Sequence, residues 1–195
     1  SERRISGISQ KFEIIIMRYP VARIRGLGFI LWQSRHTGYH LLLGAVWAWI
    51  LRERWNEFNP RWIWLSLFGS VVPDIDHFVY FLTYGRHDSY TIQVKKFLRQ
   101  HQWRTLIVYM AHGHKENTNL ASHNYYVMVL LLTLSLASSF FEWQVGVILF
   151  GAMVIHYVFD IGDDLVMLGR INPNWKRWGR ERVAGRSMHT PDASR

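Results

Sequence analysis

Asp74, Asp76 and His77 stand inside the apolar run WIWLSLFGSVVPDIDHFVYFLTY at residues 62–84. The run is long enough to span a bilayer. Ionisable side chains in hydrocarbon cost about 3 kcal/mol or more unless they pair or bind something, so they mark function, and a metal ion is the simplest partner. A second apolar run, VGVILFGAMVIHYVFDIGDDLVML at 145–168, carries His156, Asp160, Asp163 and Asp164 in its second half. His156 and Asp160 are four residues apart and share one helix face, and His36 and His40 repeat that spacing. Asp74 and His77, three apart, share a face; Asp76 points elsewhere, where it holds a second ion or orients a histidine. The connection between the runs adds His112, His114 and His123, the last beside Ser122, where a helix cap would fix it. His87, His101 and His189 have no partners in sequence and read as surface residues. With no Cys in the chain, thiolate ligation and disulfides are excluded. The nitrogen and oxygen donors suit zinc first, or manganese or iron where carboxylates dominate, and are numerous enough for one or two divalent ions.

Apolar helices must position these groups. Hydrophobic residues make up 49% of the 195-residue chain, and they fall in blocks between charged ends. Four candidate spans result: 37–51, short unless Arg52, Arg54 and Trp55 snorkel to the interface; 62–84, which Pro73 should bend while freeing the carbonyl of Gly69; 124–143, almost free of charge; and 145–168. The expected fold is all-α, a polytopic membrane helical bundle of about four transmembrane helices plus interfacial helices. KFEIIIM at 11–17 and WRTLIVYMA at 103–111 are too short to cross and read as interfacial or packed segments. Trp47, Trp49, Trp55, Trp62, Trp64, Trp103 and Trp143 read as headgroup-level anchors.

The charges then set the orientation. Lys and Arg number seven before residue 36, six in 85–123 and seven from 170 onward, against three in 52–61 and none in the 142–145 turn. The positive-inside rule puts both termini and the 85–123 loop in the cytoplasm. At about 1.5 Å per residue, Asp74, His77, His156 and Asp160 share one layer roughly 16 to 22 Å from the outer helix ends, with His40 at a similar level, so the site faces the cytoplasmic leaflet. The net charge of +9 calls for no nucleic acid; basic tails bind anionic headgroups, and they would also suit a protein partner. The division is a basic, partly interfacial segment 1–35, a membrane-embedded metal-site domain 36–170, and a basic cytosolic tail 171–195 whose Trp175 and Trp178 lie on anionic lipid.

In order, His40, PDIDH at 73–77, HK at 114–115 with SHN at 122–124, and HYVFD at 156–160 resemble the boxes of the YdjM-type family of membrane-bound metal-dependent hydrolases. That family carries an early His, a P-D-x-D-H box, an H-R-x-x-T-H-S box and a late H-x-x-x-D. Lys115 stands where the family has Arg and Ser122 where it has Thr; four extra residues leave either His112 or His114 as the counterpart in the third box. The resemblance covers residues 36–170 and implies metal ligation by His40, Asp74, Asp76, His77, His114, His123, His156 and Asp160. It further implies a likeness to zinc-dependent phospholipase C, in which a metal-activated water attacks a phosphoester or phospholipid and a carboxylate, here Asp76, takes the proton. Other readings use the same residues. HTGYH at 36–40 fits a di-iron hydroxylase box, although no adjacent His pair occurs; His40 and His156 could be axial haem ligands, although haem leaves the aspartates unexplained. A non-enzymatic subunit of a larger complex would keep the same groups as ion pairs, a proton path or a structural metal site.

Overall fold

A computed structural model describes the backbone of residues 27–117 and 120–177 and the side chains of 34–110 and 120–177. KFEIIIM, His189, Trp178 and the side chains of His112 and His114 lie outside the described residues. Among the described residues the fold is all-helical, as expected: α1 Leu27–Trp55, α2 Pro60–Gly69, a 3-10 turn Val72–Asp74, α3 Ile75–Leu82, α4 Ser89–Arg99, α5 Trp103–Asn117, α6 Tyr125–Phe140, α7 Gln144–Leu168 and a 3-10 turn Pro173–Lys176. Two stretches, Pro60–Leu82 and Gln144–Leu168, are long and apolar enough to cross a membrane. The other two expected spans do not reach that standard. Tyr125–Phe140 is apolar but only 16 residues long, and α1 has the length but is not apolar enough, interrupted by Gln33, Arg35, His36 and His40.

The chain divides into two compact units, one of residues 36–84 with 119–183, the other including 85–118. In the latter, α4 turns an apolar face inward through Tyr90, Val94 and Phe97, spaced four and three apart as a helical stripe requires. Tyr109 of α5 stacks on Tyr90 at 5.0 Å and meets Phe97 edge-on at 5.4 Å. WRTLIVYMA is therefore a packed segment, with Leu106, Val108 and Tyr109 buried.

The other unit is built on α7, against which α2 and α6 pack. Close approach depends on small residues, as between membrane helices. A Cβ on Gly69 would sit 2.9 Å from the Leu149 carbonyl oxygen, and one on Gly151 would enter the Trp47 ring. Trp47 donates to the Ile148 carbonyl at 3.2 Å, and Trp62, 6% exposed, meets Trp55 edge-on at 4.9 Å. Trp47, Trp55 and Trp62 thus join the Leu51, Val147 and Ile148 core instead of anchoring at headgroups. Trp49, Trp64, Trp103 and Trp143 remain exposed.

Pro73 does more than bend its helix. Ser70 closes α2, and the chain passes through the 3-10 turn before α3 begins at Ile75. Proline lacks the N–H that a continuous helix needs and crowds the preceding turn. Asp74 comes to lie at the break, its N–H bonded to the Val71 carbonyl at 3.1 Å.

Candidate metal centre

Four elements of this unit bring the histidines and aspartates together. α1 carries His36 and His40; the break at Pro73 and the first turn of α3 carry Asp74, Asp76 and His77; the approach to α6 carries His123; and α7 carries His156, Asp160 and Asp163. Asn124 fixes His123 by capping α6, its Oδ1 accepting from the Val127 N–H at 3.0 Å and its amide donating to the Ala121 carbonyl at 2.7 Å.

Asp160 is the hub. Its Oδ2 lies 3.2 Å from His156 Nε2 and 3.5 Å from His123 Nε2. Its Oδ1 lies 3.3 Å from His40 Nε2 and 3.6 Å from His36 Nε2. Asp74 Oδ1 stands 3.8 Å from His156 Nε2 and 3.8 Å from His77 Nδ1. The His40 and His156 rings stack at 3.9 Å, and both are fully buried. The expected ligands His40, Asp74, His77, His123, His156 and Asp160 thus converge, in overlapping groups whose donor atoms lie within 4.8 Å of one another.

The ring orientations follow from what stands behind them. His156 Nδ1 is 2.8 Å from the Ser70 carbonyl, which only accepts, so this nitrogen carries the proton and Nε2 presents a lone pair to the centre. The carbonyl used here is Ser70's, one residue beyond the expected Gly69, and it is open because the helix ends there. Asp76 Oδ2 faces His123 Nδ1 at 3.7 Å. Asp76 itself accepts from Tyr84 Oη at 2.6 Å, from the Ser122 N–H at 2.9 Å and from Ser122 Oγ at 2.8 Å. Of the two roles open to it, orienting a histidine fits this geometry, since both oxygens are already engaged and it joins none of the converging donor groups.

Burial alone would lower the proton affinity of His123, but the carboxylates of Asp160 and Asp76 outweigh it and raise the imidazole to about 9. The metal-free centre therefore holds a proton where the geometry offers a cation site. His123 Nε2, His156 Nε2, Asp160 Oδ1 and His40 Nδ1 are buried without a hydrogen-bond partner among the described residues. Native interiors rarely leave such atoms unmet, at about 1–3 kcal/mol each. A divalent cation would satisfy the inward-facing donors, and imidazole with carboxylate is a donor set that suits zinc, manganese or iron. The residues fit a metal.

Some expectations fall elsewhere. Asp164 does not extend the site: its Oδ2 accepts from Trp175 Nε1 at 2.8 Å and from the Asn172 N–H at 3.2 Å. Trp175 is consequently 3% exposed, packed beside Tyr157 and His123, and does not lie on lipid. His87 and His101 are exposed, as read. The Ser70 carbonyl and Tyr84 carry no signal in the sequence, and Ser122, expected at a helix cap, instead donates to Asp76 while Asn124 caps α6. No family model, curated protein or solved structure matches this chain.

Proposed function

We propose that the protein is a membrane-embedded, metal-dependent hydrolase acting on a phosphoester, with phospholipid at the cytoplasmic leaflet as the substrate class. The observation that carries this reading is the buried convergence of His123 Nε2 and His156 Nε2 on the Asp160 carboxylate, where both ring nitrogens and Asp160 Oδ1 have no hydrogen-bond partner among the described residues. A divalent ion there would supply a Lewis acid for a phosphoryl oxygen and lower the pKa of a bound water. His123, His156, Asp160 and Asp74 would hold it; Ser70 and Asp76 fix the two rings.

Proton transfer falls to the rim. Asp74 and His77 face each other at 3.8 Å with side chains 26% and 23% exposed, so they meet substrate and solvent where Asp76 does not. We assign them the acceptor role that the family resemblance gave to Asp76. A half-open rim also favours catalysis over a closed structural site, which needs no access.

A lipid substrate is supported by the surface. Trp64, Phe68, Leu136, Phe140 and Val166 are exposed, Phe140 and Val166 at 82%, apolar side chains of the kind a lipid contact would cover. By the positive-inside rule the basic flanks favour a cytoplasmic orientation, and they would suit contacts to anionic headgroups.

The test is elemental analysis of the purified full-length protein beside Asp74→Ala and His156→Ala, followed by phospholipid hydrolysis in mixed micelles before chelation, after it and after metal is restored. Stoichiometric metal lost in both variants, with turnover that follows the metal, is expected. A folded protein without metal would overturn the centre, and a metal-loaded protein that hydrolyses no phosphoester would leave a structural subunit as the better reading.

A further inference from the structure

We propose that the centre is dinuclear: a second divalent cation is held by His36, His40 and Asp160 Oδ1, and the Asp160 carboxylate bridges it to the ion of His123, His156 and Asp74. The proposal rests on the metal-centre reading above and extends it to His36, which lies outside the family boxes.

The donor triangle has the dimensions of a metal site. His36 Nε2 and His40 Nε2 are 3.0 Å apart, His40 Nε2 and Asp160 Oδ1 3.3 Å, and His36 Nε2 and Asp160 Oδ1 3.6 Å. A tetrahedral zinc with bonds of about 2.0–2.1 Å sets its ligand atoms about 3.3–3.4 Å apart. The three edges straddle that value. A proton shared between the two rings would account for the 3.0 Å contact, but it leaves Asp160 Oδ1 buried and without a donor. One cation satisfies all three atoms.

Within one carboxylate the labour is divided. Oδ1 of Asp160 faces the α1 histidines, while Oδ2 faces His123 and His156. Each oxygen has its own pair of rings, the arrangement a bridging ligand needs. His36 is backed in turn by Asp163, whose Oδ2 lies 3.8 Å from Nδ1, so the nitrogen away from the centre meets an oxygen, as for metal-bound histidine generally.

Charge bears on the number of ions. Among the described residues, the ionic partners of Asp74, Asp76 and Asp160 are histidines. A single divalent ion with neutral imidazoles leaves these three carboxylates one negative charge in excess in a largely buried pocket, which is costly without a counter-charge. A second ion turns that excess into a single positive charge, which the Asp163 carboxylate beside His36 offsets.

The experiment uses the full-length protein, stripped with chelator and reloaded with Zn²⁺ for elemental analysis or Mn²⁺ for electron paramagnetic resonance. Wild type is expected to bind two ions and to give the broadened spectrum of exchange-coupled manganese. His36→Gln is expected to bind one and to give the resolved hyperfine pattern of an isolated ion. The His36 side chain is 36% exposed, so glutamine fits without disturbing the core. Two ions in both proteins, or coupled manganese in the variant, would remove His36 from the site. One ion in wild type with an uncoupled spectrum would overturn the dinuclear centre and leave the single-metal hydrolase standing. No ion at all would overturn both. The wild-type spectrum decides the matter even where the variant loses helical circular dichroism.

Discussion

Replacing Asp76 by Asn separates two roles that the sequence leaves equally open. Asn keeps the shape of the side chain. Its oxygen still accepts from Ser122, and its amide faces Tyr84 Oη, an oxygen able to accept. The three hydrogen bonds at 2.6, 2.9 and 2.8 Å thus lose charge assistance without losing partners. A bond to a charged group contributes about 1.5–3 kcal/mol and a neutral one about 0.5–1.5, so three weakened bonds destabilise by a few kcal/mol at most. What disappears is the negative charge 3.7 Å from His123 Nδ1. Carboxylates that back a metal-bound histidine are worth about 10–100-fold in metal affinity, or about 1.4–2.7 kcal/mol. A base would behave differently, lowering kcat by about 10²–10⁴-fold at unchanged affinity.

The assay is competitive zinc titration against a fluorescent chelator, followed by phospholipid turnover at saturating zinc. The expected result for Asp76→Asn is affinity reduced by about 10–100-fold, with kcat largely restored once the metal site is filled. Unchanged affinity with a collapsed kcat would refute the orienting role and return Asp76 to the position of base. Asp74→Asn, at the half-open rim, should lower both.

Three further outcomes follow from the same geometry. Because His123 holds a proton up to about pH 9 in the metal-free centre, against a reference value of 6.5, metal must displace that proton: affinity should rise by about tenfold per pH unit below 9 and level off above it. The same raised value makes the proton's contribution to metal-free stability complete below pH 6.5 and lost as pH climbs through 9, so the Tm of chelated protein should fall across that window, and a flat profile would contradict the pairing of His123 with Asp160 and Asp76. Pro73→Ala should let the helix continue and re-engage the carbonyls at the break, depriving His156 Nδ1 of Ser70; weaker metal binding with equal or greater helicity is expected, and unaltered binding would sink the argument. Trp175→Phe removes a buried donor to Asp164 and should destabilise by about 1.5–3 kcal/mol in denaturant unfolding, whereas a surface tryptophan would have no measurable effect.

The candidate ligands are legible because helical spacing is local. His156 with Asp160 and Asp74 with His77 announce themselves at intervals of four and three, and their clash with an apolar background singles them out. What the spacing could not reveal is pairing between helices. His36 and His40 looked like one box among several, and only the packing of α1 against α7 puts them on the opposite oxygen of Asp160 from His123 and His156. Tryptophan was misread for a related reason: Trp47 and Trp62 have the composition of interfacial anchors, but the missing side chain of Gly151 opens a slot that Trp47 fills. Trp175 carries the same lesson. A basic context says nothing of Asp164 eleven residues earlier, whose carboxylate draws the indole inward.

The membrane reading and the metal reading meet at one backbone feature. A helix facing hydrocarbon must satisfy its own carbonyls, and an interruption is tolerated only where other groups take over or a cavity is lined. Ser70 ends α2 with its carbonyl turned to His156, and Asp74 begins the next turn with its carboxylate toward the same ring. A continuous helix would spend the Ser70 carbonyl internally and leave His156 Nδ1 without it. The proline break thus fixes the tautomer of one candidate ligand and presents another, and the small residues at 69 and 152 bring α7 near enough to receive both. On this account the polar layer is not an intrusion into an apolar bundle. It occupies a break where the backbone is already polar, and a cation there would neutralise carboxylates that neither lysine nor arginine accompanies among the described ion pairs.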